Sequence, residues 1–394
     1  MIIACPVCES KALCSFFRAS GVPVHCCRLW ESQAEATAAP RGDIELVLCS
    51  TCGMIFNRRF DDRLIDYDGT YENAVHFSPH FQRFAEDLVD GLIEHYGLRG
   101  KHLLEVGCGT DAHFLRLLCE RAGATGTGFD PSYHFEASAG TNVRIVNQPF
   151  AREHTAEAFD FACSRHVLEH VRDPRAFLQE VRLTLGRTDV PVYLEVPSGD
   201  QILRDHDFWE AIYEHFGYFT QSMLARLLAA TGFEPQNAYE QYGGQFLAVE
   251  ALTAAARPLE LLSEAEAGEL VAATSAFGEA FRARVANIEA LLQRLRGQGS
   301  RVALWGAGSR AVCFLNMVPA ARQIDAVIDI NPRKHGKHIP GTGQQILPPE
   351  ALLALQTGVV LLMNPLYEAE VSAQLAALGS RARVIVEGAQ TVTV

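Results

Sequence analysis

Leu103-Leu104-Glu105-Val106-Gly107-Cys108-Gly109-Thr110-Asp111 decides the architecture of this chain. An apolar run ends in a glycine-rich turn, and the helical stretch HFLRLLCERAG (113–123) follows directly. That order predicts a buried strand, a tight turn and a helix. Gly107 and Gly109 let the backbone come close to a ligand at the carboxyl end of the strand. The next apolar run, GTGFD, finishes at Asp130, where an acid can take both hydroxyls of an adenosine ribose. VRIVN, FDFACS (ending at Ser164) and PVYLEV repeat the pattern. Each run is short, apolar and stopped by Gly, Asp, Asn, Ser or Pro, as buried strands of a parallel α/β sheet are.

Working outward from this loop, four stretches differ in character. Residues 1–68 are cysteine-rich and irregular, and residues 69–255 carry the strand–helix alternation. Residues 256–298 are rich in Ala, Glu and Arg, with Leu259, Leu262, Leu270, Phe277, Phe281, Val285, Ile288 and Leu291 at helical spacing, which predicts a helical connector or paired helices. From 299 to 394 the alternation restarts with RVALWGAG, IDAVIDI, VVLLMN and ARVIVEG, a second and smaller α/β unit. A length of 394 residues agrees with two or three domains.

Composition narrows the function classes. A net charge of −13 opposes a nucleic-acid partner, which needs a basic face, while leaving small anions open. No apolar run is long enough for a membrane helix, and MIIACPVCES lacks the features of a signal peptide, so a cytoplasmic protein with a small-molecule partner is expected. Composition gives no oligomeric state. In a reducing compartment the eleven cysteines point to metal ligands or buried thiols. Cys5-Pro-Val-Cys8 and Cys49-Ser-Thr-Cys52 are two knuckles that together complete a tetrahedral zinc site. Four sulfur ligands and no adjacent water-activating carboxylate make that site structural. Cys14, His25, Cys26 and Cys27 lie in the intervening loop as alternative ligands.

The Glu105-x-Gly107-x-Gly109 arrangement is that of class I methyltransferases, with Asp111 standing where many of them have a third glycine. Glu105, Gly107, Gly109, Asp130, Gln148 beyond the third strand and Ser164 are therefore the expected contacts for S-adenosylmethionine. The order of cysteine knuckles, methyltransferase core and terminal Gly-Ala domain resembles the zinc-containing sugar C-methyltransferases, over essentially the whole chain. The resemblance rests on Cys49-Ser-Thr-Cys52-Gly53, His166-Val-Leu-Glu-His170-Val-Arg-Asp173, Tyr213-Glu214-His215-Phe-Gly-Tyr218-Phe219 and Asn331-Pro-Arg-Lys334-His-Gly336-Lys-His-Ile-Pro340-Gly341-Thr342. It implies a class I Rossmann-like core between a zinc module and a C-terminal Rossmann-like domain on the substrate side. The implied substrate is a nucleotide-linked 4-keto-deoxysugar, the implied context natural-product deoxysugar biosynthesis.

Carbon needs an α-proton removed before it can attack a sulfonium methyl group, so a base is required. His215 is the expected base, with Glu214 orienting it or holding a substrate hydroxyl, and His170 stabilising the enolate oxygen. The family pattern Tyr-His-Glu-His is Ile212-Tyr213-Glu214-His215 here, so Tyr213 is the candidate to restore the missing hydroxyl. Tyr71 matches the tyrosine that covers the methyl donor in the family. In the C-terminal unit, Gly306, Gly308, Arg310 and Lys334 are the expected contacts to a substrate nucleotide. Two alternatives remain open at this point. One is an O- or N-methyltransferase of a non-sugar metabolite; the other is an NAD- or nucleotide-sugar-binding protein using the Gly306–Gly308 turn.

Overall fold

A computed structural model describes residues 1–67, 70–134 and 142–388. The N-terminal module is built on strands β1 (Leu13–Pro23), β2 (Arg41–Cys49) and β3 (Ile55–Asn57), all antiparallel. The core follows the expected order: β4 (His102–Val106), β5 (Thr125–Phe129), β6 (Val143–Val146), β7 (Phe161–Arg165) and β8 (Pro191–Pro197) pair in parallel. Their near-continuous apolar runs suit strands covered on both faces by helices such as Pro79–Tyr96, His113–Ala122 and Pro174–Leu185.

Strand β9 (Gly217–Tyr218) leaves the core and pairs with β3, so a segment far along the chain completes the N-terminal sheet as β1-β2-β3-β9. Strands β10 (Phe233–Gln241) and β11 (Phe246–Thr253) form a hairpin turning at Tyr242–Gln245 and close the core sheet antiparallel against β8. The core order is β10-β11-β8-β7-β4-β5-β6. The chain reverses direction across the sheet between β4 and β7, the switch point where open α/β sheets bind ligands.

The expected helical connector is one 34-residue helix, Glu264–Gly297, with Ser263 and Glu266 forming a capping box at its start. It packs on the N-terminal module through Phe277, which is fully buried against Phe16, Phe17 and Phe208 with ring centroids 6.0, 5.6 and 4.7 Å away. Beyond it, β12 (Val302–Trp305), β13 (Ala326–Ile328), β14 (Ile346–Leu347), β15 (Val359–Leu362) and β16 (Arg383–Val386) form a parallel sheet ordered β14-β13-β12-β15-β16. Among the described residues no helix is long and apolar enough to cross a membrane.

Phe277 joins the helix, the N-terminal module and the segment around Phe208, so its loss opens a cavity between them. Phe277→Ala is expected to cost about 3–5 kcal/mol. The check is the urea-denaturation midpoint, which falls while the unfolding slope is kept.

Candidate active site

A cleft of about 370 Å³ lies where the carboxyl ends of the two parallel sheets face one another. The core contributes His166, Glu169, His170, Ile212 and His215 to its wall, and the C-terminal sheet contributes Gly306, Gly308 and Lys334. Tyr71, buried to 8% exposure, also lines it. Glu105, Gly107, Gly109 and Asp130 stand outside this lining, at the neighbouring β4–β5 end.

The β4 turn is sterically committed. Gly107 has φ +80°, and a Cβ there would sit 2.0 Å from Val167 Cγ2. The Gly109 N–H donates to Asp130 Oδ2 at 2.8 Å, and the Ser132 N–H and O–H donate to Oδ1 at 2.8 and 2.6 Å. Asp130 is thereby fixed beside the turn with carboxylate lone pairs remaining. Glu105 is buried and its Oε2 has no hydrogen-bond partner. Burial, and then the charge of Asp130, pushes its carboxyl up to about 8. A buried carboxyl with an orphaned oxygen fits a cationic amine arriving with a ligand, which would restore its charge. Gln148 is exposed at the rim beyond β6. The Ser164 hydroxyl donates to Val106 O at 2.9 Å and ties β7 to β4.

Asp111 stands in for a third glycine because it has another partner. Its Oδ2 meets Arg333 Nη1 and Nη2 at 3.3 and 3.4 Å, and Arg333 also pairs with Glu72 at 3.2 Å. The donor-side loop is thus tied to the C-terminal domain.

His170 and His215 face each other with ring centroids 5.1 Å apart. His170 Nδ1 lies 3.0 Å from both Glu214 O and Tyr67 Oη. A carbonyl can only accept, so Nδ1 carries the proton towards Glu214 O, and a neutral ring keeps its lone pair on Nε2. His215 is buried, with Nδ1 unpartnered. Burial, and then His170, lowers its pKa to about 3, which keeps the ring neutral and able to accept a proton.

Glu214 and Tyr213 are corrected. The Glu214 carboxylate is fully buried, accepts the Cys26 N–H at 2.9 Å on Oε2 and has His25 Nδ1 3.7 Å from Oε1. It holds the N-terminal module and neither orients His215 nor faces the cleft. Tyr213 stacks on Phe60 at 5.7 Å, covers Gly42 and accepts the Asp61 N–H at 3.0 Å, so it too faces the module. Arg310 borders the cleft, with its guanidinium engaged by Asp207 at 2.6 Å and Glu210 at 2.7 Å. Lys334 Nζ donates to Ala307 O at 3.3 Å and lies 3.7 Å from Asp329 Oδ2, beneath the second glycine turn. Asp329 repeats the Asp130 pattern, accepting the Ala307 N–H at 2.7 Å and the Asn331 N–H at 2.8 Å.

His166 and Glu169 escaped the sequence assignment, although both lie inside the quoted His166–Asp173 stretch. His166 has φ +54°, a left-handed backbone at the cleft wall that turns its ring between two carboxylates. Its Nε2 is 3.0 Å from Glu195 Oε1 and its Nδ1 is 3.6 Å from Glu169 Oε1. Burial works against the charged ring, but Glu169 and Glu195 outweigh it and raise His166 to about 9. Glu195 also accepts the Arg165 Nε–H and the Tyr193 O–H, each at 2.9 Å.

A methyltransferase-domain family model matches residues 79–237, and a C-methyltransferase C-terminal domain model matches residues 241–387. C-methyltransferase NovU of Streptomyces niveus is 26% identical over 330 residues, covering 78% of this chain and 76% of that protein. The tRNA U34 carboxymethyltransferase of Alteromonas mediterranea is 31% identical over 98 residues, 22% of this chain and 29% of its own. The solved magnesium protoporphyrin IX methyltransferase of Synechocystis PCC 6803, with S-adenosylhomocysteine bound, aligns at 16% identity and TM-score 0.35 over 44% of this chain and 84% of its own. The chain is an S-adenosylmethionine-dependent methyltransferase with a class I Rossmann-like core, and the residues that follow the core are similar to a C-methyltransferase C-terminal domain.

The two histidines set opposite limits on stability. His166, raised above the ordinary 6.5 to about 9, stabilises the fold fully below 6.5, and that contribution is lost as pH rises through 9. His215, lowered to about 3, contributes fully above 6.5 and loses that contribution as pH falls towards 3. Urea midpoints across pH 5 to 9.5 are expected to peak near neutrality. His166→Gln should flatten the alkaline decline, tempered by the third of the His166 side chain that solvent reaches.

Proposed function

We propose that this methyltransferase adds a methyl group to a carbon next to a ketone, on a nucleotide-linked keto-deoxysugar lying in the cleft. The observation that carries this reading is His215: a buried imidazole with an unpartnered ring nitrogen, lining the same cleft as the second glycine turn. Methylation of oxygen or nitrogen has less need of such a base. The C-methyltransferase C-terminal domain and the NovU relative support carbon as the acceptor.

In this reading Glu105, Gly107, Gly109 and Asp130 hold S-adenosylmethionine, with Gln148 at its rim and Tyr71 between it and the cleft. The cofactor supplies an electrophilic methyl on a sulfonium. His215 takes the α-proton. His170, its Nδ1 anchored on Glu214 O, stands on the same wall to stabilise the enolate oxygen. The Gly306–Gly308 turn and Lys334 receive the nucleotide end, and Arg310 shapes that wall through its two carboxylates. Labelled S-adenosylmethionine with a panel of nucleotide-linked keto-sugars tests the reading, and NMR of the product locates the new methyl. A methyl on oxygen or nitrogen overturns it. His215→Ala is expected to abolish both methylation and α-proton exchange with deuterated water. Unchanged exchange removes His215 as the base.

We also assign a structural zinc ion to Cys5, Cys8, Cys49 and Cys52. Their sulfurs lie within 4.8 Å of one another, with Cys5–Cys52 and Cys8–Cys49 at 3.5 Å. Tetrahedral zinc with bonds of about 2.3 Å needs sulfurs roughly 3.8 Å apart, so the four thiols fit the ion. The ion would supply cross-linking and no acid–base chemistry. Elemental analysis is expected to find one zinc per chain. Cys52→Ser should lose it and lower Tm, and because His25 and Cys26 of this module hold Glu214, turnover should fall as well.

A further inference from the structure

Glu169 has no role in the reading above, yet its position is unusual. It is 1% exposed, borders the cleft, and neither carboxylate oxygen has a hydrogen-bond partner. A carboxylate oxygen of Glu169, a ring nitrogen of His170 and a ring nitrogen of His215 lie within 4.8 Å of one another. Glu214, the acid next to His215 in sequence, faces the other way. The nearest cation to Glu169 is His166, whose Nδ1 is 3.6 Å from Oε1, so a closer donor on the cleft side would satisfy a carboxylate that burial leaves short of hydrogen bonds.

We propose that Glu169 is the positioning carboxylate that pairs with His215 when His215 becomes charged, the role its neighbour Glu214 cannot fill; this rests on His215 being the base. In the step concerned, the acceptor's α C–H bond breaks and its proton passes to His215. The electron pair stays on that carbon, conjugated with the ketone. It then forms the new C–CH3 bond as the sulfonium S–CH3 bond breaks, leaving a neutral thioether. The imidazolium afterwards returns its proton to water. Between those events a cation exists in a site whose burial opposes it, and Glu169 is the anion within reach. His166, clamped between Glu169 and Glu195, supplies the positive charge that keeps Glu169 ionised before the proton arrives.

The test uses the zinc-loaded enzyme, with the nucleotide-linked keto-sugar found to be methylated in the panel above as acceptor. Methyl transfer is measured, along with α-proton exchange into deuterated water in the presence of S-adenosylhomocysteine. Glu169→Gln is expected to lower kcat and the exchange rate together by on the order of 100-fold, with KM little changed. The pH profile of kcat should be displaced, and Glu169→Asp should recover part of the rate. S-adenosylhomocysteine affinity and Tm, measured on both variants, report whether the fold is intact. If Glu169→Gln does not fold, the Asp variant decides: a rate and pH profile matching wild type overturn the proposal. If Glu169→Gln keeps the wild-type exchange rate and pH profile while His215→Ala is inactive, the proposal fails and the base assignment stands. If His215→Ala exchanges like wild type, or wild type fails to exchange this acceptor, the base reading falls and this proposal falls with it.

Discussion

A carboxylate that touches no ligand holds the catalytic end of the cleft together. Glu214 is wholly buried; its side chain accepts the Cys26 N–H of the N-terminal module, and its main-chain oxygen accepts from His170. One residue therefore fixes the adjacent His215 along the chain, His170 across the cleft and the module behind both. Desolvating that charge is tolerable only because Cys26 and His25 meet it, and leaving it unpaired would cost several kcal/mol. The module's backbone at residues 25 and 26 depends in turn on a sheet closed by two cysteine knuckles. Placement of the histidines is thus settled at the N-terminus.

The two α/β sheets are mirror partners in chemistry as well as in position. Asp130 and Asp329 each end the second strand of their sheet, and each accepts one N–H from the glycine turn and another from two residues further on. The same solution to buried turn amides has been used twice, and the two carboxyl ends then meet over one cleft. They differ in what surrounds the acid: Ser132 beside Asp130, but the buried Lys334 beside Asp329. The Asp111–Arg333 pair joins the two ends directly. Its cost is the conformational freedom of a glycine at 111, and its effect is to hold the domains in register.

Much of this was legible in the sequence. Parallel strands buried on both faces must be apolar throughout, so β4 to β8 and β12 to β16 show as short runs with punctuation. The cysteine cluster shows because two Cys-x2-Cys pairs at this spacing can bring four sulfurs together. The misassigned residues share a different cause, which is pairing across long stretches of chain. Tyr213 meets Phe60 and Asp61, and Glu214 meets Cys26. Nothing local to these residues announces those partners. His215 and Glu214 also sit in irregular backbone, where neither a strand nor a helix period says which side chain points inward. Glu169 was hidden for the opposite reason: in a tight 3-10 turn between two histidines, it reads as a spacer in their motif.

The two-residue strand β9 has consequences for how the chain can be divided. It gives the N-terminal sheet its fourth strand from more than 150 residues downstream of β3, so the module is not a unit of sequence. A fragment ending near residue 68 would keep its cysteines but expose the β3 edge, with unpaired main-chain amides and carbonyls beside apolar Phe56. Recombination at that linker would likewise graft a module onto a core that lacks its matching strand. The N-terminal module and the core therefore form a single inheritance unit, cut only at a cost to both.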